Sequence, residues 1–182
     1  FLAGGDVLVA TESALYQDGP ITSLTNGALA RLIRYDAATG AQKAQYVYPI
    51  SPIPQAPSTA SGWNDFGLSE IMALDDHRLL SIERGFAQGI GNSVVINMFD
   101  LDGATDVAHI PSLAKTDQRI VPVRKTQILD LRALGLAPDN IEGITFGKSK
   151  DGTDLLILVA DNNFNPMQKT QFFAFKIIRR PS

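Results

Sequence analysis

Apolar residues along this chain recur with a period of two rather than 3.6. The runs DVLVATE (6–12), ARLIRYD (30–36), AQYVYPI (44–50), SVVINMFDL (93–101), DLLILVAD (154–161) and QFFAFKII (171–178) are short, alternating or apolar, and rich in Val, Ile, Tyr and Phe. Gly, Asp and Asn separate them. Alternation at this spacing turns one face of a segment to a core and the other outward, which is the geometry of antiparallel strands. Only QILDLRALGLA (127–137) offers a helical turn. The Pro- and Ser-rich PISPIPQAPSTASG (49–62) reads as a loop inside one domain, because the strand pattern resumes unchanged after it. The pattern predicts an all-β fold and a single domain over 1–182.

A repeat organises these strands. LSEIMALDDHRLLSIERG (68–85) and IEGITFGKSKDGTDLLILVADNN (141–163) share an order: a Glu, an apolar strand, an Asp-containing turn, a Leu-Leu strand and a terminal acid. LAGGDVLVATES (2–13) matches the second half of that unit, and the terminal acids are Glu12, Glu83 and Asp161. Two further strands follow the Leu-Leu strand in the first two units, so the full unit has four strands, the blade of a β-propeller. About three blades are expected, at roughly 1–62, 63–138 and 139–182. The first lacks its leading strand and the third its last. Since propellers close with about four to eight blades, the ring is expected to be incomplete. A missing N-terminal part or a second copy would then complete it, in keeping with a chain that begins at Phe1 inside a strand pattern and reads as a fragment or a processed form.

Composition narrows the chemistry. Of 182 residues, 45% are hydrophobic and 19% charged, enough apolar material for one sizeable core. Formal net charge is -3, and the 16 Lys and Arg are scattered, so no basic stripe exists to follow a nucleic-acid backbone. No run of eighteen apolar residues marks a membrane span, and FLAGGDVLVA carries no basic region of a signal peptide. With no Cys, disulfides, thiolate metal sites and a Cys nucleophile are ruled out. His77 and His109 lie in DDHRL and DVAHIP without a partner arrangement of a triad, and they read as surface or packing residues. No Gly-x-Ser-x-Gly elbow occurs, FAQGIGN lacks the Lys-Ser/Thr of a P-loop, and DLDGATD lacks the Glu that closes an EF-hand loop.

Acids at matching blade positions carry the candidate site. In a four-stranded blade the start of the first strand and the end of the antiparallel second lie at one face. Glu70 and Glu142 start first strands, and Glu12, Glu83 and Asp161 end second strands. Five carboxylates are thereby expected at one mouth of the channel, with Asn140, Asn162 and Asn163 beside them. Like charges at close range repel, so such a cluster calls for a cation, and oxygen ligands without Cys favour Ca²⁺ over zinc. A structural reading stands beside this one: a Glu at a strand start that pairs with Arg84, and an Asp-Asn-Asn turn. The aromatics Tyr16, Trp63, Phe66, Phe86 and Phe164 fall near loops at the same end, where they would floor a pocket or pack within the blades.

ESALYQDGP (12–20), RLIRYDAATG (31–40), LSEIMALDDHRLLSIERGF (68–86), ATDV (104–107), DNIEGITFG (139–147) and LVADNNFNPMQKTQFFAF (158–175) together resemble the esterase-like phytase family. The resemblance implies a β-propeller, here its C-terminal half, of a bacterial and usually exported protein, hence periplasmic or secreted. It also implies hydrolysis of phosphate or other esters of small molecules, with calcium clamping phosphate oxygens while an activated water attacks. Carried onto this chain, Glu70 and Glu142 become the leading metal ligands, and Asp161 and Asn162 the next, with Glu83 and Glu12 completing the acidic mouth. Arg84 and Lys125 become phosphate binders, and Glu142 with these two cations forms the expected catalytic set. The acidic and Lys/Arg clusters are sparser than in propeller phytases, which weighs against phytate itself. The alternatives are a non-catalytic binding scaffold with a structural calcium ion and a lactonase-like hydrolase.

Overall fold

The computed structural model describes residues 1–178, and Arg179 to Ser182 at the end of the last strand pattern lie outside the described residues. Ten strands form within them: β1 Val7–Ala10, β2 Ala28–Tyr35, β3 Gln42–Ile50, β4 Gly67–Ala73, β5 Arg78–Ala87, β6 Gly91–Asp100, β7 Arg124–Asp130, β8 Ile141–Lys148, β9 Asp154–Ala160 and β10 Gln171–Lys176. Every pairing is antiparallel, and the strands make three sheets, β1-β2-β3, β4-β5-β6-β7 and β8-β9-β10. The all-β expectation holds, and among the described residues the sheets form no closed ring.

Short polar turns set the registers. Between β4 and β5 the Asp75 carboxylate accepts the backbone N–H groups of His77 at 2.9 Å and Arg78 at 2.7 Å, which fixes a tight reversal. Asp36 does the same between β2 and β3, accepting from Ala38 and Thr39 ahead of Gly40, whose φ of 71° a side chain would disfavour. The stretch 127–137 forms no helix. Its first residues belong to β7, and Leu131 extends that edge by donating its N–H to the Val94 carbonyl at 3.1 Å before a turn that closes on Gly135. Leu131 is fully buried, so the apolar spacing there serves a strand end and a turn under the core.

Two apolar interfaces stack the sheets. Between the first and second sheets lie Ala30, Leu32, Tyr48, Leu68, Leu79 and Phe99; between the second and third lie Leu80, Ile82, Ile96, Ile141, Leu156 and Leu158. Leu79 and Leu80 are consecutive and face opposite interfaces, as strand alternation requires. The long β6–β7 connection returns to the first sheet: Val107 and Val123 donate N–H groups to the Gln45 and Val47 carbonyls on the outer edge of β3. Val107, Ile110 and Leu113 then pack on Val47. This crossing covers an otherwise open strand edge and ties the first two sheets together. Under it, Arg31 is held by both oxygens of Asp18, at 2.6 and 2.8 Å, and reaches the Ile110 carbonyl.

Candidate functional site

Consecutive residues of β5 point to opposite faces, so Glu83 and Arg84 cannot share a site. Glu83 is fully buried between the first and second sheets. It accepts from the Tyr48 hydroxyl at 2.8 Å, the Ser51 N–H at 3.2 Å and the Lys125 ammonium. Lys125 also donates to the Pro49 carbonyl and to Ser51 Oγ, so its three N–H donors are all used. Tyr48 Oη lies 2.7 Å from Ser81 Oγ; burial and then the Glu83 charge push the phenol well above its ordinary range. Glu83 and Lys125, expected at the mouth, therefore build an inter-sheet polar network on the face of β5 opposite to Arg84.

Arg84 faces the end of the sheets where β4 and β8 begin. Its Nη2 lies 2.9 Å from Glu142 Oε1 and 3.7 Å from Glu12 Oε1, so one guanidinium bridges an acid at the start of β8 and an acid just past the end of β1. Arg84 Nε is sealed from solvent and meets no acceptor among the described residues. A buried charged donor left unmatched is costly. The strand pairing explains why Glu142 reaches Arg84. Both leading strands carry a bulge at their start: Leu68 pairs with Glu83 and Glu70 with Ile82, while Ile141 pairs with Ala160 and Gly143 with Val159. The unpaired bulge residue is Ser69 in β4 and Glu142 in β8. Glu142 is thus the counterpart of Ser69, one residue out of step with the expected match to Glu70, and one residue reverses the face of a strand. By the same register Asp161 is the counterpart of Arg84, since Glu83 and Ala160 occupy equivalent pairs.

Glycine shapes the wall beside Arg84. A Cβ on Gly85 would stand 2.0 Å from the Asp65 carbonyl oxygen, so only glycine lets the segment before β4 lie across β5. That segment is pinned by hydrogen bonds from Asp65 N to Phe86 O, from Phe86 N to Asp65 Oδ1, and from Gln88 N to Trp63 O. It carries Trp63 beside Phe86, ring centroids 6.0 Å apart. A cleft of about 460 Å³ results, lined by Trp63, Asp65, Arg84, Phe86, Asp139 and Asn140, among others. A second of about 340 Å³ lies across Trp63 and Asp65 and includes Glu12, Ser13 and Thr22. Phe66 is buried in the core, and Tyr16 and Phe164 are fully exposed, so of the five aromatics Trp63 and Phe86 line the first cleft. Asp65, Asp139, Asn92 and Gln168 were not singled out in the sequence, because their convergence depends on loops from different sheets.

The expected calcium ligands do not converge. Glu142 and Glu12 are turned to Arg84, and Glu83 is bound to Lys125 and Tyr48. Glu70 accepts from the next backbone N–H, Ile71, at 2.7 Å, and the side-chain oxygen of Asn162 accepts from Phe164 N. Asp161 is exposed at the end of β9. Among the described residues, no three His, Asp or Glu side chains are grouped to hold a metal ion. The arrangement does not fit a preformed calcium site, and its central charge is a guanidinium. Such a group binds planar or tetrahedral oxyanions through several N–H donors at once.

No helix among the described residues is long and apolar enough to cross a membrane. No curated protein and no solved structure matches the chain. A family model described as "Phytase-like: Esterase-like activity of phytase" matches residues 1–164, which takes in all three sheets except β10. The chain belongs to the phytase-like family.

Proposed function

We propose that this chain carries the working site of a hydrolase of phosphate or other esters, centred on Arg84 and Glu142. Family membership points to hydrolysis of phosphate esters. The observation that carries the site is Arg84 itself: a largely buried guanidinium at a cleft wall, held between Glu12 and Glu142. An ester entering the cleft offers its phosphoryl or carbonyl oxygen to Arg84, which offsets the charge that grows there in the transition state. Substrate oxygens compete with Glu142 for the guanidinium. The released Glu142 carboxylate takes a proton from water as the water oxygen attacks phosphorus or the carbonyl carbon. The bond to the alcohol oxygen breaks, and the alcohol leaves with a proton from solvent. No step is routed through calcium, because among the described residues the carboxylates expected to hold it do not gather at one point.

The propeller belongs to the same proposal. What supports it is the stacking of three sheets in chain order, with β1 against β4 and β4 against β8, as strands around a central channel would lie. A periplasmic or secreted location is proposed on family resemblance alone. The test is hydrolysis of 4-nitrophenyl phosphate and 4-nitrophenyl acetate by the full chain and by its Arg84→Gln and Glu142→Gln variants. Turnover that falls about 100-fold or more in both variants supports the site, since one oxyanion donor or one general base contributes roughly that much. Wild-type turnover in a folded Arg84→Gln variant refutes it, and no turnover by the parent chain leaves the binding-scaffold reading in its place.

A further inference from the structure

The two clefts flanking Arg84 differ sharply from a polyanion site. Among the described residues that border them, Arg84 is the one cation, against Asp65, Asp139 and Glu12, with Glu142 bound to the same guanidinium. Several phosphate groups placed here would meet more carboxylates than cations at short range, a repulsive arrangement. One anionic or polarised oxygen group is what a single guanidinium satisfies.

The remainder of the wall is aromatic. Trp63 is 59% exposed although it stands between both clefts, and its ring is tilted 34° to that of Phe86. Its backbone is fixed on both sides, donating N–H to Gln88 Oε1 at 3.0 Å and accepting from Gln88 N. An exposed indole held on a rigid backbone, beside amides and one guanidinium, is a stacking platform prepared at low entropic cost. Volumes of about 460 and 340 Å³ accommodate one small ring and its substituents.

From this we infer that the substrate is an ester carrying no more than one anionic group, whose alcohol portion is a flat ring that lies on Trp63 while the ester oxygen is held by Arg84. The inference rests on the hydrolase reading for the word substrate, and on the cleft alone for the ligand class.

Calorimetric titration of the full chain with phenyl phosphate, glycerol 2-phosphate and inositol hexakisphosphate tests it. Phenyl phosphate is expected to bind about tenfold more tightly than glycerol 2-phosphate, the scale of one aromatic stacking contact, and more tightly than the hexakisphosphate. Trp63→Leu is expected to bring the phenyl-to-glycerol ratio close to one, and Trp63→Phe to retain part of it. As Trp63 is the sole tryptophan, its fluorescence in the parent chain should respond to phenyl phosphate and not to inorganic phosphate. Equal affinities, a preference that survives Trp63→Leu, or tighter binding of the hexakisphosphate overturns the inference. Binding with the expected preference but without hydrolysis of any ester overturns the hydrolase reading and leaves the ligand class standing. Hydrolysis without ring preference does the reverse.

Discussion

Removing the ammonium of Lys125 should unfold this protein more readily without disabling its chemistry. In Lys125→Met the fully buried Glu83 carboxylate loses its one cationic partner among the described residues and keeps two neutral donors, Tyr48 Oη at 2.8 Å and Ser51 N at 3.2 Å. Breaking a buried pair by deleting one member costs roughly 3–5 kcal/mol. The two remaining donors place this case near 3 kcal/mol, and the Pro49 carbonyl, left without the Lys125 donor, keeps the cost from falling much lower. For a domain of this size each kcal/mol lowers Tm by about 2–4 °C, so the melting temperature should drop by about 6–12 °C. Circular dichroism melts of the parent, Lys125→Met and Lys125→Met/Glu83→Gln measure it. The double variant should recover at least half of the loss, because a neutral amide still accepts from Tyr48 and Ser51 but leaves no buried charge. At a temperature well below melting, ester turnover should stay within about threefold of the parent, since Lys125 binds on the face of β5 opposite to Arg84, lines neither cleft, and has its donors all used. A Lys125→Met protein that melts within 2 °C of the parent yet has lost turnover would refute this assignment and return Lys125 to the site.

Three further outcomes follow from named contacts. Arg31 holds the Asp18 carboxyl: burial alone would raise its pKa, but the Arg31 hydrogen bonds, the Leu113 N–H and the Arg31 charge outweigh it and leave it below 3.8. A depressed carboxylate pKa stabilises the fold above the unfolded value and loses that contribution as pH falls through the folded one. Asp18→Asn should therefore cost about 3 kcal/mol at pH 7, with the gap to the parent closing below about pH 3.8 in urea denaturation. A gap independent of pH would contradict this. Gly85→Ala should cost more than about 2 kcal/mol by displacing the Asp65 backbone, and it should weaken phenyl phosphate binding more than a surface Gly40→Ala change does. Equal effects of the two in melts and titration would show that the segment before β4 moves aside freely. Chelation with EDTA should leave ester turnover within about twofold, because the carboxylates at Arg84 are engaged by a guanidinium; loss of turnover restored by calcium would establish the metal that the family resemblance implied.

Strands were legible as short apolar runs bounded by turn residues: Leu79 and Leu80 fill two different interfaces, so a strand buried on both faces reads as a continuous apolar run where a one-sided strand alternates. The repeat was legible too, but its register was not. Matching Glu70 to Glu142 lines up letters, whereas the bulges line up Ser69 with Glu142, and a bulge leaves no mark in a sequence read residue by residue. The placement of Glu83 was recoverable in principle. Glu83 and Arg84 are neighbours in one strand, so assigning Arg84 to the open end commits Glu83 to the opposite face. What could not be read was the partner set there, since Tyr48, Ser51 and Lys125 come from 32 to 42 residues away along the chain. The Pro-rich stretch before Trp63 was seen as a loop. The wall of the cleft is the segment that follows it, Trp63 and Asp65, and this depends on Gly85 admitting the Asp65 backbone, a contact between two segments that neither announces.

The central claim is that Arg84 and Glu142 act together on an ester oxygen and its attacking water. The most direct measurement is kcat/KM for phenyl phosphate hydrolysis by the full chain, Arg84→Gln, Glu142→Gln and the double variant, with each shown to be folded by its melting curve. The account predicts that each single change lowers kcat/KM about 100-fold or more and that the double variant loses much less than the product of the two, as residues acting as one unit do. A Glu142→Gln chain that hydrolyses phenyl phosphate at the parent rate, folded and with Arg84 in place, would contradict it.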